Sequence, residues 1–177
     1  MGGRKDSGAS TSDYTKTVDV YDTSLTKLSN ATALPAVFIS YASAKNDNYV
    51  VFNGYDKSIS WGNKSVAYNT SLTQNTSVSA MTTTVVEEAT ASTEELAIFA
   101  GGRKSNTNAA YGLTNVIEYY NPSLVKTTGP ALKTARSSIS GVYYKGYVMI
   151  FGGITGEYEK NDNYYNTYTN TVSVYTV

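Results

Sequence analysis

Cysteine and histidine are both absent from the 177 residues. Without cysteine there is no disulfide framework and no thiolate metal site. Without histidine there is no imidazole base for a Ser-His-Asp triad, and no imidazole ligand for copper, iron or zinc. Charge is scarce as well: Asp, Glu, Lys and Arg make up 16% of the chain, against about 25% in ordinary globular proteins. The 14 basic and 14 acidic residues cancel. The chain therefore lacks the basic surface that releases counterions from a nucleic acid, and no nucleic-acid partner is expected. Apolar runs are short. Gly146–Phe151 is among the longest, far below the ~20 residues of a membrane-spanning helix, so no membrane insertion is expected. Met1-Gly2-Gly3-Arg4-Lys5-Asp6 leads straight into polar residues, with no apolar core of a signal peptide. Asp6 also stands where a myristoylation motif wants Ser or Thr. This opening reads as an interior cut of a longer chain, with any export signal elsewhere.

What the chain does have is Thr, Ser, Asn, 14 Gly and 17 Tyr. Thr and Tyr suit pleated surfaces, and Asn, Ser and Gly suit turns. Nowhere do apolar residues recur at helical spacing over a helix-length window. Instead the chain repeats itself. Val18-Asp-Val-Tyr-Asp-Thr-Ser-Leu-Thr26, Val66-Ala-Tyr-Asn-Thr-Ser-Leu-Thr73 and Val116-Ile-Glu-Tyr-Tyr-Asn-Pro-Ser-Leu124 align, and Val172–Val177 begins the pattern again. The aligned tyrosines are Tyr21, Tyr68, Tyr120 and Tyr175, a period of about 50 residues. Each is preceded by a glycine landmark: Gly2-Gly3, Asn53-Gly54, Gly101-Gly102 and Gly152-Gly153. After the first three comes a small-plus-large apolar pair, Ala33-Leu34, Ala80-Met81 or Ala131-Leu132.

Each unit divides into four short runs, which predicts four antiparallel strands. In the third unit these are Thr83–Thr90, Glu95–Ala100, Asn115–Tyr120 and Val125–Thr128. The repeats span roughly 1–34 (partial), 35–81, 82–132 and 133–177 (partial) within a single unit, 1–177. The glycine pair (Gly3, Gly54, Gly102 and Gly153 being the second members) is expected to end a buried strand with positive φ at one residue. Asn53 is expected to take the left-handed conformation in place of the first glycine. Tyr21, Tyr68, Tyr120 and Tyr175 are expected to be half buried between neighbouring units, their hydroxyls reaching backbone or water.

An apolar strand ending in Gly-Gly, as in Phe99-Ala-Gly-Gly102, then a variable loop, then a Val-x-x-Tyr-Asn strand, as in Val116–Asn121, resembles the blade of a kelch-repeat β-propeller. The Tyr-x-x-Ser-Leu variant looks closest to kelch-like arrays of bacterial surface and phage tail proteins. The resemblance implies an all-β chain of four-stranded antiparallel blades, about 3.5 of them. It covers essentially the whole sequence, with two departures. The usual blade tryptophan is replaced by Leu28, Asn75 and Thr127, and the blade arginine survives once, as Arg136. The repeated Leu25, Leu72 and Leu124 are expected to fill the space left by tryptophan. An open array of blades needs closure. Another chain, sequence outside these residues, or a four-bladed ring within one chain would supply it; the first two are preferred. In a closed four-bladed ring Val172–Val177 would compete with Lys16–Tyr21 for one slot.

The variable loops after the glycine landmarks occupy equivalent places and are expected to gather on one face. They carry Tyr55, Trp61, Arg103, Tyr111, Tyr158, Tyr164 and Tyr165. Flat aromatic rings with amides and carboxylates nearby suit a sugar, and equally a protein surface. The function expected is non-enzymatic binding or adhesion, to a glycan or protein on a cell surface. The setting expected is extracellular, at a cell surface or on a virion, with no cofactor. A structural module that mates with copies of itself, or decorates a virion, is the alternative. A glycoside hydrolase using Glu87-Glu88, Glu94-Glu95 or Glu157 and Glu159 is the weaker one. No residues are assigned to a metal. Asn161-Asp162-Asn163 lacks the spacing of a calcium loop.

Overall fold

The computed structural model describes residues 3–4, 14–28, 31–34, 38–56, 62–75, 77–82, 85–104, 112–160 and 163–177. Among these the chain is all-β, without a helix. Two short ladders come first, β1 (Gly3–Arg4) with β2 (Tyr14–Thr15) and β3 (Val20–Tyr21) with β4 (Lys27–Leu28). A four-stranded meander follows, made of β5 (Phe38–Lys45), β6 (Tyr49–Asp56), β7 (Gly62–Asn69) and β8 (Gln74–Asn75). The next stretch holds β9 (Val85–Val86), β10 (Ala89–Ser92), β11 (Ala97–Ala100), β12 (Arg103–Lys104), β13 (Ile117–Tyr120) and β14 (Lys126–Thr128). Strands β10-β11-β13-β14 make a second meander, with β9 and β12 paired beside it. Last come β15 (Ser140–Tyr144), β16 (Tyr147–Phe151), β17 (Ile154–Lys160), β18 (Asn163–Tyr168) and β19 (Val172–Thr176). Here β15-β16-β19 form a three-stranded sheet, and β17-β18 are a separate hairpin. Among the described residues every pairing is antiparallel.

The sheets pack side by side. β5 lies against β10 and β11, and β10 lies against β15. This explains why the central strands read as unbroken apolar runs. In β11, Ala97 and Phe99 join the cluster shared with Val51 and Ala67 of the preceding sheet. Ile98 and Ala100 join the cluster shared with Val148 and Ile150 of the following sheet. Alternate side chains of a strand point to opposite faces, so a sheet buried on both faces needs an apolar residue at every position. A third cluster, Leu34, Phe38, Val66 and Tyr68, lies at the start of the first meander, with Val18 against it.

The segments joining the sheets are tied by the repeated tyrosines. Tyr68 donates its hydroxyl to Thr32 O at 2.9 Å, Tyr120 to Ser79 O at 2.6 Å and Tyr175 to Ala131 O at 3.1 Å. Beyond each acceptor sits a buried Leu34, Met81 or Leu132. Among the described residues Tyr21 makes no such contact, and it is 54% exposed.

Three details depart from the sequence-based expectations. First, Thr83–Thr90 is not one strand. Glu87 takes a left-handed φ of 61° and separates β9 from β10. Ser138 does the same one unit later, at φ 52°, and the two kinks are bonded, Ser138 N to Glu87 O at 3.0 Å. In the first meander the corresponding irregularity is a register shift between Ser40 and Ala42. Second, both glycines of Gly101-Gly102 and of Gly152-Gly153 have positive φ, but Asn53 does not. Asn53 and Gly54 continue inside β6. There the glycine serves close approach, since a Cβ on Gly54 would fall 1.9 Å from Ile39 O.

Third, the repeated leucines mark a turn. In each motif the Asp22, Asn69 or Asn121 Oδ1 accepts from the backbone N–H two and four residues on. The leucine between them sits at φ 59°, 60° or 59°. Leu124 packs partly against the core, whereas Leu25 is 81% exposed and fills no space. A left-handed L-residue costs about 1 kcal/mol. Leu25→Gly is therefore expected to hold or raise the unfolding free energy, by at most about 0.5 kcal/mol once glycine's extra chain entropy is subtracted, in urea denaturation. A loss of stability would show that the exposed side chain makes a contact in solution.

Candidate binding site

Where they are described, the segments after the glycine landmarks pair as antiparallel extensions. The first forms β1 with β2, and the second prolongs the β6–β7 ladder to Asp56↔Gly62. In the third, Arg103 pairs with both Val86 and Leu113. The fourth is the hairpin β17–β18, whose register reaches Lys160↔Asn163. The glycine pairs are what allow the third and fourth to leave their sheets. Positive φ at two successive residues turns the chain out of the ladder, and a Cβ on Gly153 would meet Ser137 O at 2.5 Å.

The candidate residues fall on these extensions unequally. Tyr55 lies on β6, paired with Ile39 and Asn63. Trp61 and Tyr111 lie outside the described residues. Tyr158 and Tyr165 face each other across β17–β18, their rings stacked at 5.4 Å and 21°. Both are exposed, Tyr158 at 53%. Tyr164, paired with Glu159, points to the other face of the hairpin and is exposed, as is Tyr168. The hairpin thus offers aromatic surface on both faces.

Arg103 is committed elsewhere. Its Nε donates to Glu87 Oε1 at 2.9 Å, with Nη2 2.7 Å from the same oxygen. Glu87 Oε2 accepts from the hydroxyls of Ser137 and Ser138. The hydrogen bond from Arg103, aided by the two serines, holds the Glu87 carboxyl below its ordinary range despite partial burial. Glu87 and Arg103 therefore fasten the kink of one unit to that of the next.

Sequence reasoning missed a buried polar network between the two meanders. Asn53 Nδ2 donates to Glu88 Oε1 at 2.7 Å. Ser65 Oγ reaches Asn53 Oδ1 and the Tyr120 hydroxyl, at 3.4 and 3.0 Å. Nearby, Glu118 Oε1 takes the Thr82 hydroxyl and Lys126 Nζ, and Oε2 takes the Thr82 N–H. Burial raises the Glu118 carboxyl, but these donors outweigh it and the net direction is down. Among the described residues Glu88 has no cation beside it: burial pushes it up to about 8 although the Asn53 bond opposes this. Burial likewise drives Tyr120 to about 12. The sequence signal was Glu118 inside the otherwise apolar Ile117-Glu-Tyr-Tyr120.

Glu88 also borders a polar pocket of about 390 Å³ with Ser40, Tyr41, Ser43, Phe52 and Thr90. One carboxyl among hydroxyls can hold a polar ligand but supplies no second carboxylate for glycoside hydrolysis. Among the described residues no three His, Cys, Asp or Glu side chains cluster as a metal site. No family model matches the chain, and no curated protein matches its sequence.

Glu88 carries a pH prediction. Its folded value of about 8 exceeds its ordinary 4.5, so the folded state holds the proton more tightly. Its contribution is fully favourable below about pH 4.5 and is lost as pH rises through about 8. Glu88→Gln keeps an acceptor for Asn53 and removes this loss. The variant is expected to gain on the order of 4 kcal/mol over the parent between pH 5 and pH 9, measured by urea unfolding at both. An unchanged difference between variant and parent would place an ionised, paired carboxylate there.

Proposed function

We propose that the chain is an arc of kelch-like β-propeller blades acting as a non-enzymatic binding module for a glycan or protein on a cell surface. The blade reading is supported by the two four-stranded meanders, by contact between their first strands, β5 with β10 and β10 with β15, and by the core clusters between successive sheets. The observation that carries the binding reading is the exposed, stacked Tyr158–Tyr165 pair on one face of β17–β18. Cross-strand aromatic pairing and the ladder hold those rings in place before any ligand arrives. A flat face of this kind stacks on a pyranose ring or anchors a protein surface. Binding is favoured over turnover because Glu87 and Glu118 are engaged in ion pairs and Glu88 is buried.

The setting we infer is extracellular, on a phage tail or a bacterial surface. It rests on the Tyr-x-x-Ser-Leu resemblance and on the scarcity of charge. The test is a glycan array alongside binding to intact bacterial cells, with the parent chain and the Tyr158→Ala/Tyr165→Ala variant. The parent is expected to bind one of the two, and the variant at least tenfold more weakly, with unchanged circular dichroism. Equal binding by the variant would exclude the hairpin as the contact surface. Absence of parental binding from both would contradict the reading itself.

A further inference from the structure

The two ends of the stack are unlike. In the β15-β16-β19 sheet, Val148, Ile150 and Tyr175 face the preceding meander. The register puts Val142, Met149 and Val174 in one row on the opposite face, with Tyr144 and Tyr147 in the adjacent row. Val142, Tyr144, Tyr147, Val172 and Val174 are exposed, Val174 at 55%. Between the interior sheets, the corresponding face is covered by the next sheet. At the other end, Tyr21 stands where Tyr68 and Tyr120 face a preceding segment, and it is exposed. Among the described residues strand β3 pairs only with β4, while β19 fills the slot beside β16. The described first and last sheets therefore share no ladder.

We propose that the outer face of the β15-β16-β19 sheet docks a second copy of this chain, head to tail, against its Tyr21-bearing β3–β4 end. The occupant follows from continuity with the interfaces already inside the molecule. The two meanders, and the second meander with the last sheet, meet there by one rule, a repeated tyrosine facing backward and a β-sheet face forward, and the exposed sheet face and the exposed Tyr21 offer the same two halves of that contact. Such a heterologous interface forms a ring when its rotation closes and a chain of copies when it does not. The interface is independent of the Tyr158–Tyr165 hairpin, so either reading can fail alone.

The test is sedimentation velocity on the 177-residue chain across a hundredfold dilution from about 100 μM, an upper concentration suited to weak contacts. The parent is expected to sediment above one chain's mass of 19.1 kDa and to dissociate on dilution. Val174→Lys and Tyr21→Ala are each expected to give one chain's mass at the highest concentration. Thr127→Lys, exposed on β14, is expected to behave as the parent. An equimolar mixture of Val174→Lys and Tyr21→Ala retains one intact pair of halves and is expected to recover a two-chain species. Should Val174→Lys fail to fold, Val174→Thr with Val142→Thr is expected to weaken association in the same direction. A monomeric parent at 100 μM would overturn the proposal. Loss of association with Val174→Lys but not with Tyr21→Ala would overturn the head-to-tail pairing.

Discussion

Burial of both faces of a short β-sheet is the constraint on which the rest of this structure depends. A four-stranded meander this small cannot bury enough surface alone. Each one is completed by its neighbours, and the core is a series of clusters between sheets rather than a single centre. The polar contacts follow the same plan. Tyr120, Glu118 and Lys126 all reach back to residues 79–82, and Asn46 reaches forward to Tyr120 O. Stability in such an array is a sum of unit terms and nearest-neighbour terms, so its ends are weaker than its middle.

Much of this was legible because each unit repeats its instructions. The glycine landmarks, the tyrosines and the small-plus-large apolar pairs recur at a common spacing, and the structure turns them into strand exits, clamps and buried anchors. What stayed hidden depends on distant partners. Glutamate is not a residue associated with positive φ, and the kink at Glu87 becomes intelligible only with Arg103, Ser137 and Ser138 around its carboxylate. Asn53 suggested a left-handed turn by its type, but its amide is held in a strand by Glu88, far along the chain. The leucines looked like core residues, yet the Asx hydrogen bonds before them dictate the turn.

The candidate site was legible in its residue types and not in its geometry. That Tyr158, Tyr164 and Tyr165 sit in a variable segment is plain from the sequence. That Tyr158 stacks on Tyr165 while Tyr164 turns to the other face depends on the register of β17–β18, which is irregular between Ile154 and Gly156. Arg103 shows the converse: a polar residue in a loop position that serves the scaffold. A rigid stack with aromatic surface on a projecting hairpin separates the two tasks, since the hairpin can vary without disturbing the clusters between sheets.

Native-state hydrogen exchange measures the central claim most directly. If neighbouring sheets stabilise one another through their shared faces, amides of β7, β11 and β13 should be the slowest to exchange. Those of β3, β4 and the β17–β18 hairpin should exchange orders of magnitude faster, by local opening. Equal protection across all sheets, or slowest exchange at either end, would mean that the units do not depend on their neighbours and would contradict the account.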